Sequence, residues 1–275
     1  MDCDIGKLQK AAWNVRARIL QMANRCNGNV HIGGALSMSD LLTVLYKKTM
    51  KYDFADPAWE ARDRFILSKG HCVLALYAVL AECGLLTDAD IALFQVNGSR
   101  LCAHPVMDLD IGIESSNGSL GQGISMAVGI AKTAKMLKKT YKVYTLIGNG
   151  ESNEGSVWEA AMLASQWKLD NLTVIIDNNA MQSDGISDKI MSMESMTDKW
   201  SSFGFDVLKI DGHNVADISK AYDSRTDGKP KAVIAETIKG HGISFMENDP
   251  QWHHNRLTDQ LYEQAMEELK GERHA

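Results

Sequence analysis

Two short triplets hold the residues whose types and spacing could do chemistry. Gly148-Asn149-Gly150 closes one apolar run and Asp177-Asn178-Asn179 closes the next, with 27 residues between Gly150 and Asn178. Glycines beside a strand end let backbone N–H groups approach a phosphate, and a helix starting just after them adds the positive end of its dipole. The side-chain oxygens of Asn149 and Asn179 could ligate a hard cation such as Mg2+ or Ca2+. A diphosphate bridged to a divalent cation would use both features. Taken alone, each triplet reads as ordinary turn residues that terminate a strand.

Eight histidines are scattered through the chain: His31, His71, His104, His213, His241, His253, His254 and His274. None has zinc-ligand spacing, and singly each reads as a surface or structural residue. Imidazole is nevertheless the side chain that donates to hydroxyls and shuttles protons near neutral pH. The five cysteines, Cys3, Cys26, Cys72, Cys83 and Cys102, are odd in number and form no CxxC pair. That argues against a disulfide framework or a zinc ribbon and for free thiols in a reducing cytoplasm.

The elements that must position these groups show in the periodicity. Up to about residue 140 the chain reads mostly helical. Leu8, Ala12, Val15, Ile19 and Met22 recur at helical spacing. The stretch "SMSDLLTVLYKKTM" opens with Ser37 or Ser39 as a candidate cap, and "CVLALYAVLAECG" is apolar all round and ends at Gly84. The helix in "SLGQGISMAVGIAKTAKMLKK" is rich in Gly and Ala, which lets another backbone come close. From residue 141 short β-branched runs take over: "KVYTLIGNG", "LTVIIDNN", "FDVLKIDG" and "KAVIAETIKG". Helical segments separate them, "SVWEAAMLASQWK", Met196 to Ser202 and "VADISKAYDS". Strand–helix alternation with continuously apolar strands predicts an α/β fold, a parallel sheet with helices on both faces. Ligands of such sheets bind beyond the carboxyl ends of the strands, where both triplets would lie on neighbouring strands. The four prolines, Pro57, Pro105, Pro230 and Pro250, fall in loop-like surroundings.

The 275 residues are 45% hydrophobic and 23% charged, with a net charge of −6. This composition is that of an ordinary globular domain and disfavours a nucleic-acid surface. No apolar run of about 18 residues occurs, and the N-terminus lacks the basic start and apolar core of a signal peptide. A single cytoplasmic domain spanning 1–275 is expected.

The segments "RDRFILSKGH", "HPVMDLDIGIESSNGSLGQG", "GNGESNEGSVWEAAM", "LDNLTVIIDNNAMQSDG" and "IDGHN" closely resemble the N-terminal, thiamine-diphosphate-binding half of transketolase. The resemblance runs in order from about Val30 to Leu257. In that family Gly-Asp-Gly is followed by a spacer near 27 residues and then Asn; here Asn149 replaces the aspartate. The resemblance implies transfer of a two-carbon ketol unit from a ketose, expected to be phosphorylated, to an aldose, with thiamine diphosphate as electron sink. It places Mg2+ or Ca2+ on Asn149, Asn179 and the main-chain carbonyl of Met181. It puts Gly150 and His71 on the diphosphate, and Gly118, Ser119 and Leu120 near the pyrimidine. His31 matches a donor-substrate histidine, in His31-Ile32-Gly33-Gly34 rather than His-Pro-Gly-Gly. His104 matches the contact to the donor's first hydroxyl, and His253 the late histidine near diphosphate and substrate. His254 competes with His253, standing where the family usually has Gly, and His213, in "IDGHN", also matches the family but reads as structural. Glu154 aligns with an acid at the subunit boundary, or is simply an acid in the first turn of a helix.

In the family the activating carboxylic acid and the main sugar-phosphate arginines lie on the pyrimidine-binding and C-terminal domains. The resemblance does not extend to them, so a separate partner chain is expected to carry both, in a heterotetramer of two pairs. Residues 181–202 should be irregular before residue 190 and should order on cofactor binding. Three other readings stand beside this one. A nicotinamide-dependent enzyme would need Gly-x-Gly-x-x-Gly, whereas Gly155 follows Gly150 too late. The alpha chain of a 2-oxo acid dehydrogenase or a deoxyxylulose phosphate synthase shares some of these motifs. A non-catalytic binding chain would account for Asn149.

Overall fold

The computed structural model describes residues 5–226 and 228–272. The first half holds α1 (Ile5–Arg25), β1 (Asn29–Val30), α2 (Gly33–Ser37), α3 (Ser39–Val44), β2 (Arg64–Leu67), α4 (Val73–Glu82), α5 (Asp88–Ile91) and α6 (Gln122–Met136). Then come β3 (Val143–Gly148), α7 (Gly155–Gln166), β4 (Leu172–Asn178), α8 (Ser187–Met191), α9 (Met196–Ser202) and β5 (Asp206–Asp211). The chain continues through α10 (Val215–Asp223), β6 (Lys231–Glu236), β7 (Asn255–Arg256) and α11 (Asp259–Glu272).

Five strands form one parallel sheet in the order β2-β3-β4-β6-β5. Alternate residues of each central strand enter different cores. Tyr144, Leu146, Ile175, Val233 and Ala235 meet α1, α3, α4, α10 and α11 on one face. Ile147, Val174, Ile176, Ala232 and Ile234 meet α6, α7 and α9 on the other. Burial on both faces is why these strands read as continuous apolar runs. In α1 the residues Leu8, Ala12, Val15, Ile19 and Met22 are all buried, and residues 73–81 of α4 are buried on every side. A two-stranded antiparallel pair, β1 with β7, ties Asn29 to Arg256 and Val30 to Asn255. It thereby brings His31 beside the residues that precede β7. Among the described residues no helix is long and apolar enough to cross a membrane. The four described cysteines are free thiols; Cys3, like His274, lies outside the described residues.

Three expectations need correction. The first 140 residues also contain β2, an edge strand of the main sheet, whose four residues are too short to show a period. Neither Ser37 nor Ser39 caps a helix. Met38 occupies the N-cap position of α3, while the Ser39 hydroxyl donates to the Leu36 carbonyl and that of Ser37 is turned toward Asp177. Between 181 and 190 the backbone is in part regular rather than irregular: Met181 bridges Ile186 antiparallel, and α8 starts at Ser187.

Candidate active site

The carboxyl ends of β3 and β4 lie side by side, with Gly148 paired to Asp177. The Asn149 N–H donates to the Asp177 carbonyl at 3.1 Å, so the two triplets are one structure. Asp177 is fully buried. Its carboxylate accepts from the hydroxyls of Ser37 and Thr237, the amide of Asn179 and the ammonium of Lys69. Burial alone would raise Asp177, but Lys69 and these donors hold it below the usual carboxylate range. Burial likewise opposes the charge on Lys69, and Asp177 chiefly outweighs it and keeps the ammonium above its ordinary value.

These bonds aim the two asparagines. The Asn179 amide nitrogen is held by Asp177, and its oxygen accepts the Met181 N–H at 3.1 Å. The Asn149 amide donates to Ser187 Oγ at 2.6 Å, which anchors its nitrogen away from its oxygen. Between Asn179 and Met181, Ala180 adopts φ +57°, a left-handed conformation costing about 1–2 kcal/mol outside glycine. A second brace comes from Glu151, 2% exposed. It accepts from Ser68 Oγ and from the N–H groups of Gly121 and Gly148. It thus pins the ends of β2 and β3 to the start of α6. The contact is close: a Cβ on Gly70 would lie 2.2 Å from the Asn117 carbonyl oxygen, and one on Gly123 2.6 Å from Ser68 Cα.

A cavity of about 540 Å3 opens at these strand ends, within the range of small-molecule sites. His31, His71, His104, His253 and Lys239 form much of its wall. The His31 ring lies 5.0 Å from His71, 5.2 Å from His253 and 6.1 Å from His104. Lys239 is 2% exposed, and its ammonium donates to the Gln182 carbonyl at 2.8 Å and to His253 Nδ1 at 3.0 Å. Burial pushes Lys239 down to about 8. Burial and the neighbouring histidines lower His31 to about 3; burial and Lys239 lower His253 to about 4. Burial and Lys69 hold His71 well below its ordinary value. These three rings are therefore neutral near pH 7, each offering one N–H donor and one lone pair.

The cavity gathers nearly every residue singled out in the sequence. Besides the four histidines, it is lined by Asn149, Gly150, Glu154, Asn179, Met181, Gly118 and Leu120. Ser119 is exposed at the rim and is not part of the lining. Glu154 sits at the N-cap of α7 rather than in its first turn, and its side chain makes no cap hydrogen bond. His254 is exposed, its ring tilted against His31 at 4.5 Å, beside a side pocket of about 160 Å3. His213 lies outside the cavity, bonded to Asp40 and to the Ile238 N–H. Lys69, Glu151 and Lys239 were not legible as site residues, and Asp177 stood in the second triplet without a role of its own. The available signal was a lysine beside a glycine at the end of an apolar run, in "LSKGH" and "IKGHG".

Ligands of doubly covered parallel sheets bind beyond the carboxyl ends of the strands, where this chain gathers glycine, amide and cationic groups. Residues 9–272 match the family described as transketolase, thiamine diphosphate binding domain. The chain belongs to this family. It is 43% identical to a subunit of the apulose-4-phosphate transketolase of Phocaeicola vulgatus, over 92% of this chain and 90% of that protein. It is 43% identical to 6-deoxy-6-sulfo-D-fructose transketolase subunit SqwG of a Clostridium species, over 96% of this chain and 97% of that protein. Among solved structures, transketolase from Campylobacter jejuni superposes with a TM-score of 0.86 at 30% identity. That match covers 98% of this chain and 43% of the other.

Proposed function

We propose that the chain is the thiamine-diphosphate-binding subunit of a two-chain transketolase. It would move a two-carbon ketol unit from a phosphorylated ketose to an aldose, together with a partner chain. The observation that carries this reading is the convergence of Lys239, His71, Asn149 and Asn179 on one cavity at the ends of β3, β4 and β6. The donor set fits the cofactor. Anchored amide groups and the main-chain carbonyl of Met181 would suit a hard divalent cation, and the buried Lys239 ammonium, which shares the cavity wall with Gly150, would suit a diphosphate.

Asn149, Asn179 and the Met181 carbonyl would hold Mg2+ or Ca2+. Gly150, His71 and Lys239 would meet the diphosphate, and Gly118, Leu120 and the rim residue Ser119 the pyrimidine. Thiamine diphosphate, when bound, supplies the electron sink for carbon–carbon cleavage. The residues of this chain bind and orient. His253, whose Nδ1 accepts from Lys239, presents its Nε2–H. His31 and His104 would donate to hydroxyls of the donor sugar. Glu154, at the mouth, faces the place of a partner chain. The partner would supply the activating acid and the sugar-phosphate arginines, in an assembly of two pairs in the cytoplasm. The two relatives named as transketolase subunits, matched over nearly their full lengths, support a split enzyme.

Calorimetric titration of thiamine diphosphate with Mg2+ tests the reading. Lys239→Met should weaken binding about tenfold to a hundredfold, the loss of a charge-assisted hydrogen bond of about 1.5–3 kcal/mol. Because Lys239 is lowered to about 8, wild-type affinity should hold below that pH and fall as pH rises through it. Unchanged affinity in the variant, or no binding by the wild type, would overturn the assignment.

A further inference from the structure

Asp40 lies in α3, outside the cavity, and is 4% exposed. Its carboxylate accepts from Arg16 Nη1 at 2.9 Å and faces His213 Nδ1 at 3.0 Å. The other ring nitrogen of His213, Nε2, accepts the N–H of Ile238 at 2.9 Å. A nitrogen that accepts carries no proton, so the His213 proton sits on Nδ1 and points at Asp40. His241 stacks on this ring at 3.5 Å and 19°. Asp40, His213 and His241 place ligand atoms within 4.8 Å of one another, a spacing a metal could use. The hydrogen bonds argue against it. Neither ring nitrogen of His213 has a lone pair to spare, and Arg16 already neutralises Asp40.

Ile238 directly precedes Lys239. Lys239 in turn donates to His253 Nδ1, which leaves the His253 proton on Nε2. We infer that Asp40 and His213 are positioning residues: by holding the Ile238 amide they place Lys239, and Lys239 selects the tautomer of His253. The chain of bonds runs from a buried carboxylate on one face of the sheet, past the end of β6, into the cavity wall. The neighbouring N–H of Gly240 is held separately, by the Gly33 carbonyl at 3.0 Å, so His213 controls the amide next to the lysine. The consequence for cofactor and substrate rests on the function proposed above, whereas the tautomers do not.

Long-range proton–nitrogen spectra of the full chain labelled with 15N-histidine test this directly. In the wild type we expect His213 protonated on Nδ1 and His253 on Nε2. His213→Asn keeps an amide that can donate to Asp40 but is too short to reach Ile238. It should leave His253 a mixture of tautomers and lower thiamine diphosphate affinity about tenfold. His213→Gln, whose amide oxygen can reach Ile238, should restore most of both. A wild-type His213 protonated on Nε2 overturns the inference, as does a folded His213→Asn chain in which His253 stays wholly on Nε2. Should His213→Asn fail to fold, the wild-type tautomers decide. Correct tautomers without any thiamine diphosphate binding would sink the proposed function and leave the positioning chain standing.

Discussion

Asp177 shows how one residue organises the site. Its carboxylate joins Ser37, Lys69, Asn179 and Thr237, drawn from four separate stretches of chain. Asp177→Asn would leave the Lys69 ammonium buried without its counter-ion, and we expect a loss of about 3–5 kcal/mol, read by denaturant unfolding. The pH dependence follows from the lowered pKa. The stability Asp177 confers is fully present above the unfolded value of about 3.9 and disappears as pH falls through the folded value below it. The variant should therefore lack part of the wild type's acid transition below about pH 4. Asn149 supports a second residue-scale prediction. It now donates to Ser187 Oγ, and a hydroxyl can reverse to donate to a carboxylate, so Asn149→Asp keeps the geometry. The added charge should tighten Mg2+ binding in the presence of thiamine diphosphate by about 1–2 kcal/mol, tempered by desolvation. Equal or weaker affinity by calorimetry would show that missing charge does not limit this ligand.

At the scale of elements, the site is three strand ends and the turn that follows one of them. From Ala180 the chain folds back through the bridge between Met181 and Ile186 into α8, and the bond between Asn149 and Ser187 ties α8 to the end of β3. Beyond Ser187 little holds the segment. Residues 188–192 are exposed, including the apolar side chains Ile190 and Met191, and Met191 also lines the cavity. A segment with few buried contacts opens easily, and one whose root ligates a cofactor is ordered by it. Protease nicking between 185 and 195 should slow several-fold on adding thiamine diphosphate and Mg2+. Equal nicking with and without them would mean an ordinary, permanently ordered loop.

At the scale of the whole molecule, several large apolar side chains of α6 and α7 meet solvent. Met126 and Met136 on α6 are exposed, as are Met162 and Leu163 on α7, on the side of the sheet where Glu154 begins α7. We expect the purified chain to show no ketol transfer. Activity should appear on mixing with a second chain that supplies a carboxylic acid to the cofactor's pyrimidine. Because both chains would enclose the cofactor, thiamine diphosphate should raise the affinity between them, and the partner should raise the affinity for thiamine diphosphate equally. Robust turnover by the single chain would contradict this.

Local pattern made the strands β3 to β6, the helices α1, α4, α6, α7 and α10 and the two strand-end triplets legible, because each depends on spacing within a few turns of chain, whereas α11 was not read. His31, His71, His104, His253, Asn149 and Asn179 could be singled out because their motifs occur in order, and the structure brings them to one cavity. Strand β2 escaped because its four residues show no period, and tertiary pairing with β3 decides it. Ser37 read as a cap from its type, yet its hydroxyl went to Asp177, 140 positions away. Lys69 and Lys239 were illegible for the same reason. A lysine in a sequence is a solvated surface group until packing removes its water, and only the folded sheet brings Asp177 to one and His253 to the other. Sequence alone determined which chemical groups are present and the order in which the strands deliver them. The tertiary structure decided which of them are buried, which are paired and which proton each histidine keeps, because those properties depend on neighbours tens to hundreds of residues away.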